Sequence, residues 1–325
     1  MTDASGNPSF FDTLLDRTIV PGYSRLGSRL RRRDWPADDP HRDAMRGRTA
    51  LVTGSNSGIG KAIAAGLAGL GGSVLLAVRD RERGEQACRE IRAADPTADV
   101  AVTVCDVSDP NSVSACANEL IDRLPRLDVL IHNAGLLPPS RTETAGGHET
   151  TLATHVLGPL LLTDRLVPLL DAADEARVIL VSSGGMYAQR LAVDDPEYRH
   201  GRYSGTTAYA RTKRMQVALT PLLAEHYAPQ RISVHSMHPG WADTPGVTTS
   251  LPAFHRLMRP LLRTPAEGAD TAIWLAATSA TLPSGRFWHD RRIRQEHYLR
   301  RTHYTPDDLW RLWLFCREAA GLAVG

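Results

Sequence analysis

Tyr209 and Lys213 stand four residues apart in Tyr-Ala-Arg-Thr-Lys, and on a helix that spacing puts both side chains on one face. A phenol with its reference pKa of ~10 is a poor base at neutral pH, and bringing it to ~7 takes roughly 4 kcal/mol. A neighbouring ammonium stabilises phenolate and so acts in the required direction. The pair is therefore suited to exchanging a proton with a carbonyl or hydroxyl oxygen, although taken by itself it recurs by chance. Upstream, Val178-Ile179-Leu180-Val181 runs into Ser182-Ser183. An uninterrupted apolar run fits a strand buried on both faces, and ligands gather at the carboxyl ends of such strands in open α/β sheets. Ser183 could hydrogen-bond a substrate oxygen there; a serine at a strand end also serves simply to satisfy the next turn.

A second constellation is Thr53-Gly54-Ser55-Asn56-Ser57-Gly58-Ile59-Gly60, between a short apolar run and the helical stretch 61–70. Glycines let the backbone turn sharply and approach a pyrophosphate, and the helix start offers free N–H donors at the positive end of its dipole. A glycine pattern alone is weak, but at a strand–turn–helix junction in the first βαβ unit it marks a dinucleotide site. The next strand ends in Ala77-Val78-Arg79. A guanidinium there, in place of the carboxylate that NAD-selective sites offer to the ribose hydroxyls, makes NADP(H) the expected cofactor. Asp80 complicates that expectation. Lys61 either adds positive charge near the phosphate or is a surface lysine.

The elements that must position these residues follow from periodicity. Strands are expected near 49–53, 73–79, 100–105, 127–132, 177–183, 231–238 and 286–290, with helical stretches between most of them. Strand–helix alternation means crossover connections, hence an α/β fold with a doubly wound parallel sheet of the Rossmann type, in the strand order 3-2-1-4-5-6-7. One such domain is expected over 46–290, with an N-terminal extension and linker at 1–45 and a C-terminal extension at 291–325. The first extension holds an amphipathic piece at 10–20, the run Arg31-Arg32-Arg33 and a Pro/Asp-rich linker; its arginines are expected to form a solvated basic face rather than a membrane or partner contact. The second holds Thr305-Pro306-Asp307-Asp308, a helix start, followed by Leu309, Trp310, Trp313, Leu314 and Phe315, a stripe expected to pack on the main domain.

In that order the chain resembles the short-chain dehydrogenase/reductase family, from about residue 47 to 290. The glycine loop matches its Thr-Gly-x-x-x-Gly-x-Gly signature, and Asp106, Asn133-Ala134-Gly135, Ser183, Tyr209, Lys213 and Pro239-Gly240 follow in the family's sequence. VSSGGMY, MHPGWADTPGV and PSGRF resemble the branch called dehydrogenase/reductase family member 12. The resemblance implies that Tyr209 is the acid/base, Ser183 orients the substrate oxygen, and Lys213 binds the nicotinamide ribose and lowers the tyrosine pKa. It further implies that Asp106 approaches the adenine, Asn133, Ala134 and Gly135 support the cofactor, and Pro239, Gly240 and Thr244 line the nicotinamide. It also implies self-association through helices 149–170 and 207–227, unless the extensions cap those surfaces.

Three departures qualify the transfer. His155 stands where the family carries a catalytic Asn; it is either a proton-relay residue beside Lys213 or a packed helix histidine. His132, in place of a first Asn, is expected to alter packing only. The interval from Ser183 to Tyr209 is about twice the family's common one, and the insertion 186–207 is expected at the substrate entrance. The segment holding Leu251, Phe254, Leu257 and Met258 reads as an apolar lid or as ordinary core, and a lipophilic carbonyl or alcohol is the expected substrate.

Composition bounds these readings. Of 38 basic residues only Lys61 and Lys213 are lysine, so arginine is abundant everywhere and Arg79 is weaker evidence than its type alone would make it. A net charge of +2 does not indicate nucleic-acid binding. Cys88, Cys105, Cys116 and Cys316 lie far apart, indicating neither a disulfide framework nor a metal site, and a cytoplasmic setting is expected. No apolar run is long enough for a transmembrane span. The expected activity is NADP(H)-linked carbonyl–alcohol interconversion. The rivals are a nucleotide-binding scaffold without turnover and a nucleotide-sugar epimerase, which the glycine spacing and the small room for a sugar domain disfavour.

Overall fold

The structure is a computed structural model and describes residues 22–244, 255–256 and 258–323 of the 325-residue chain. The expected amphipathic piece at 10–20 lies outside the described residues, as do Leu251, Phe254 and Leu257 of the expected lid.

The strands are β1 Thr49–Thr53, β2 Ser73–Val78, β3 Asp99–Val104, β4 Val129–His132, β5 Arg177–Val181, β6 Ser233–Met237, β7 Arg286–His289 and β8 Arg292–Ile293. They form one sheet in the order β3-β2-β1-β4-β5-β6-β7-β8. Pairing is parallel throughout except for β7 with β8. The sequence expectation stops at β7. The added edge strand is a two-residue hairpin arm, turned by Asp290 and Arg291 at φ +50° and +57°, and is too short to leave a periodic signal.

Helices cover both faces: α1 Arg25–Arg32, α2 Gly58–Gly69, α3 Arg81–Ala94, α4 Pro110–Arg123, α5 Gly158–Arg165, α6 Gly205–His226, α7 Pro265–Ala277 and α8 Pro306–Ala319. Side chains alternate along each strand. Ala50 and Val52 of β1 therefore face one core, under α2, α3 and α7, while Leu51 faces the other, under α4, α5, α6 and α8. With both faces covered, β5 is buried at every position, which is why its sequence is an unbroken apolar run.

A short helical turn Thr150–Leu152 and a π-helical turn Ala153–Leu157 lead into α5. Gly158 is forced there: a Cβ would lie 2.8 Å from the Val107 carbonyl carbon. Residues 151–163 and 212–220 are buried in the single chain. These are the helices that the resemblance assigns to self-association, and α8 packs across α6 with Leu312, Trp313 and Cys316 inward. The expected stripe is thus rotated, and Trp310 is left half exposed. A Thr305–Asp308 capping box starts α8, as its sequence implies.

Arg31 corrects the picture of a solvated arginine run. It is 4% exposed and paired with buried Asp290 at 2.7 Å, whereas Arg32 and Arg33 stay in solvent. Among the described residues, no helix is long and apolar enough to cross a membrane.

Candidate active site

The glycine loop joins β1 to α2. Gly54 and Gly58 have φ of +65° and +56°, where a side chain is strained. Gly54 also lies so close to the next strand's loop that a Cβ would be 2.7 Å from Ala134 Cα, and a Cβ on Gly60 would be 2.5 Å from the Gly54 carbonyl oxygen. Ser57 caps α2 in position only, making no side-chain capping bond. The first N–H groups of α2 are therefore left to an outside acceptor. Asn56 is half-buried and Ser57 exposed, whereas Ser55 turns inward and donates to the Val52 carbonyl at 2.7 Å. Ile59 reaches the α7 glycine, Gly268.

Arg79, at the end of β2, is exposed. Asp80 is committed elsewhere: its carboxylate accepts from Arg83 N–H at 3.1 Å and caps α3. Lys61 pairs with Glu90 on α3, the surface-lysine alternative. Asp106 ends β3 in a turn, its carboxylate accepting from Ser108 N–H at 2.9 Å and Ser108 hydroxyl at 2.7 Å.

A chain of hydrogen bonds runs from this loop to α6. Asn133 Nδ2 donates to the carbonyls of Thr53 and Gly54 at 3.0 and 3.2 Å, and Thr53 Oγ1 accepts from the N–H groups of Asn133 and Ala134. Gly135 lies under the His155 ring, where a Cβ would approach Nε2 to 3.1 Å. Leu136 N–H donates to His155 Nε2 at 3.1 Å. Since Nε2 accepts, the proton of the neutral ring sits on Nδ1 and is donated to Thr212 Oγ1 at 2.8 Å. Burial, with Lys213 nearby, pushes His155 well below the ordinary imidazole value. The ring is fully buried, neutral and satisfied at both nitrogens, and it stands edge-on to Tyr209 at 5.3 Å.

His155 also contributes its backbone. In the π turn its carbonyl accepts from Gln216 Nε2 at 2.7 Å, while Gln216 Oε1 accepts from Lys213 Nζ at 3.2 Å. Lys213 further donates to the Val181 carbonyl at 2.7 Å, and its Nζ lies 5.5 Å from the centre of the Tyr209 ring. Burial lowers the Lys213 pKa to about 7. Burial pushes the Tyr209 phenol up from its ordinary value, the Ser183 hydroxyl acting in the opposite sense. That differs from the expected depression by Lys213. Burial is the larger influence on the phenol, and the Lys213 amine is turned to the Val181 carbonyl and to Gln216. The phenol therefore keeps its proton at neutral pH. Ser183 Oγ accepts from Gly185 N–H at 3.2 Å.

His132 is buried, hydrogen-bonded to Thr163 at 2.8 Å, and burial lowers its pKa to about 3, a packing role. Pro239 and Gly240 follow β6, with Gly240 at φ +74°, and Thr244 ends the described part of that loop. The insertion is tied down rather than loose: buried Glu197 accepts from His148 and from Glu149 N–H, both at 2.7 Å. Its end, from Arg202 to Thr206, joins Leu137, Pro138 and Pro139 around an open groove of about 460 Å³. The groove lies at the start of α6, one turn before Tyr209.

Sequence reasoning missed Gln216 and Thr212. Gln216 follows Lys213 by three residues, the same-face spacing that singled out the Tyr–Lys pair, so a signal was present. Its partner, the His155 carbonyl, had none.

A parallel sheet with a glycine loop after its first strand, and a Ser, Tyr and Lys gathered at the end of its fifth, defines a nucleotide-binding oxidoreductase of the Rossmann type. The family description "short chain dehydrogenase" matches residues 48–253, and the chain belongs to that family. It is 41% identical over 303 residues to dehydrogenase/reductase SDR family member 12 of Bos taurus, covering 92% of this chain and 94% of that protein. Human retinol dehydrogenase 12 is 33% identical over 267 residues, 81% of this chain and 84% of that protein. The crystal structure of a putative short chain dehydrogenase from Escherichia coli CFT073 complexed with NADPH superposes with a TM-score of 0.64 at 26% identity. It covers 78% of this chain and 100% of that one.

Proposed function

We propose that the protein is an NADP(H)-dependent oxidoreductase interconverting a carbonyl and an alcohol, with Tyr209 as acid/base. The observation that carries this is the convergence at the end of β5: the Tyr209 phenol beside Ser183, with buried Lys213 held 5.5 Å from the same ring. The residues fit a dinucleotide. Gly54 and Gly60 let the loop pack against Ala134 and Asn133 with no room for a Cβ, Gly58 turns it at φ +56°, and the start of α2 leaves donors for a pyrophosphate. Exposed Arg79 supports a 2′-phosphate. Asp106 serves the adenine side, Asn133 to Gly135 hold the loop, and Pro239, Gly240 and Thr244 line the nicotinamide side.

NADPH supplies the hydride when bound. Tyr209, held protonated by its surroundings, donates its phenolic proton to the carbonyl oxygen as negative charge develops there. The Ser183 hydroxyl donates to the same oxygen and fixes its approach. Lys213 holds the ribose and, by its charge, favours the phenolate left behind. His155 acts through position rather than by relaying protons: its ring ties the Asn133-Ala134-Gly135 loop to α6, and its carbonyl, through Gln216, holds the ammonium. The groove sets Leu137, Pro138 and Pro139 opposite Arg202, Tyr203, Ser204 and Thr206, and the apolar side supports a lipophilic substrate whose polar end meets the other wall. Four buried free thiols support a reducing, cytoplasmic setting.

The test is titration with NADPH and NADH by fluorescence, followed by a panel of aldehydes and ketones graded by chain length. Preference for NADPH and turnover that improves with chain length are expected. Tighter binding of NADH would refute the Arg79 assignment, and tight NADPH binding without turnover on any carbonyl or alcohol would favour the scaffold reading.

A further inference from the structure

The N-terminal extension shows no chemistry in its sequence, yet its first described residues lie deep in the molecule. Tyr23 is 2% exposed. Its ring lies against the backbone of Gly184, next to Ser183: a Cβ on Gly184 would be 2.6 Å from Tyr23 Cε2. The same ring meets His238 and Trp241 edge-on, at 4.6 and 6.1 Å between centroids. Its carbonyl accepts from Trp241 N–H at 2.9 Å, and a Cβ on Gly240 would be 2.7 Å from that oxygen. Tyr23 is therefore wedged between the turn after Ser183 and the loop Pro239-Gly240-Trp241, the two walls that the proposed site assigns to a substrate oxygen and a nicotinamide.

The wedge is locked by a buried charge cluster. Arg263, 1% exposed, donates from Nε to the Tyr23 carbonyl at 3.1 Å, from Nη1 to the Pro239 carbonyl at 3.3 Å, and from both Nη atoms to Asp290 at 2.6 and 2.9 Å. Asp290 takes a further bond from Arg31 of α1 at 2.7 Å, and Arg31 and Arg263 both donate to the Gly22 carbonyl. Buried charges are retained at a cost of several kcal/mol per ion unless geometry satisfies them. Here nearly every donor has an acceptor, and besides the Asp290 carboxylate the acceptors are backbone carbonyls of the N-terminal segment and of the nicotinamide-side loop. The cluster thus fixes one to the other, and it draws on four separate parts of the chain.

We propose that Tyr23 is a positioning residue of the active site, setting the separation of the Ser183 turn from the Pro239–Trp241 loop, and that residues 22–32 belong functionally to the catalytic domain. The inference rests on the cofactor reading above. In that reading the glycine loop, Arg79 and Asp106 would hold the adenine end of NADPH, whereas the nicotinamide end would enter the space whose walls Tyr23 spaces. Loss of the Tyr23 ring should then weaken the nicotinamide end selectively.

The experiment compares binding of NADPH with binding of 2′,5′-ADP, which lacks the nicotinamide, in the full-length chain and its Tyr23→Ala, Tyr23→Leu and Tyr23→Phe variants. Melting temperatures are taken alongside. Binding of 2′,5′-ADP is expected to stay within about twofold in all variants, while NADPH weakens about fivefold or more in the Ala and Leu variants and recovers in Phe. Carbonyl turnover should fall about tenfold or more in the same two variants, since small misplacements cost rate steeply. Tyr23→Leu retains most of the volume and serves if Tyr23→Ala does not fold. Wild-type-like NADPH binding in the Leu variant, or equal losses of both nucleotides, would overturn the proposal. A wild-type chain that binds neither nucleotide would overturn the cofactor reading and this inference together. One that binds NADPH but reduces no carbonyl would strike only at turnover, and the affinity ratio would still decide the role of Tyr23.

Discussion

Replacing Lys213 by methionine should abolish turnover while removing a pH-dependent penalty from the fold. Lys213 is 2% exposed, and burial takes its pKa from 10.5 to about 7. In the unfolded chain the amine keeps its ordinary value, so between pH 7 and 10.5 the unfolded state binds the extra proton. Wild-type stability from this group therefore rises with pH, by up to about 1.4 kcal/mol per unit, and the penalty is complete below pH 7. The full drop corresponds to about 5 kcal/mol. That is an upper figure, because the bonds to the Val181 carbonyl and Gln216 Oε1 favour the ammonium. Methionine keeps the stem's volume but leaves both oxygens without a donor, a cost of about 1–3 kcal/mol that does not vary with pH. The pH dependence is thus the clean quantity. Urea unfolding of both proteins, followed by tryptophan fluorescence at steps from about pH 6 to 9.5, should show wild type gaining about 3 kcal/mol on the variant. Groups that do not interact with Lys213 cancel in the difference, and His155, which it helps to depress, is held well below the ordinary imidazole value by burial in any case. Parallel stability curves would refute the burial argument and with it the account of how Lys213 is held.

Two further outcomes are expected. Arg79→Ala should weaken NADPH binding about tenfold to a hundredfold, the worth of a charged hydrogen bond, and leave NADH unchanged by calorimetric titration; equal losses would remove the 2′-phosphate contact. His155→Leu should cost about 1–3 kcal/mol in urea unfolding, since Leu136 N–H and Thr212 Oγ1 lose a partner. With the imidazole held neutral, the wild-type rate profile should show no histidine inflection between about pH 5 and 8. An inflection that vanishes in His155→Leu would restore the relay role.

How much of this was legible beforehand depended on sequence distance. The glycine loop, the seven parallel strands and the Tyr–Lys pair are set by local spacing or by one-dimensional burial patterns. Each stands in the structure within a residue or two of its expected place. The α8 capping box was equally local. What escaped is long-range. Arg31 sits in a run that looks solvated, and only Asp290, 259 residues away, reveals it as buried. Gln216 gains meaning from the carbonyl of a π turn, which no side-chain pattern announces. The insertion after Ser183 was visible as extra length, but Glu197 as its anchor was not, because its partners His148 and Glu149 precede it by almost fifty residues. Arginine abundance hid the rest: among 36 arginines, nothing in type or spacing separates Arg263 from those in solvent.

The central claim is that the Tyr209 phenol delivers the proton when a carbonyl is reduced. It is tested most directly by mixing the NADPH complexes of wild type and Tyr209→Phe with a reactive aldehyde and following loss of nicotinamide absorbance in a single turnover. Wild type should transfer hydride. The variant should bind NADPH equally well, since no phosphate contact is touched, and transfer about a hundredfold or more slowly. Equal rates in the two proteins, with equal cofactor binding, would contradict the account.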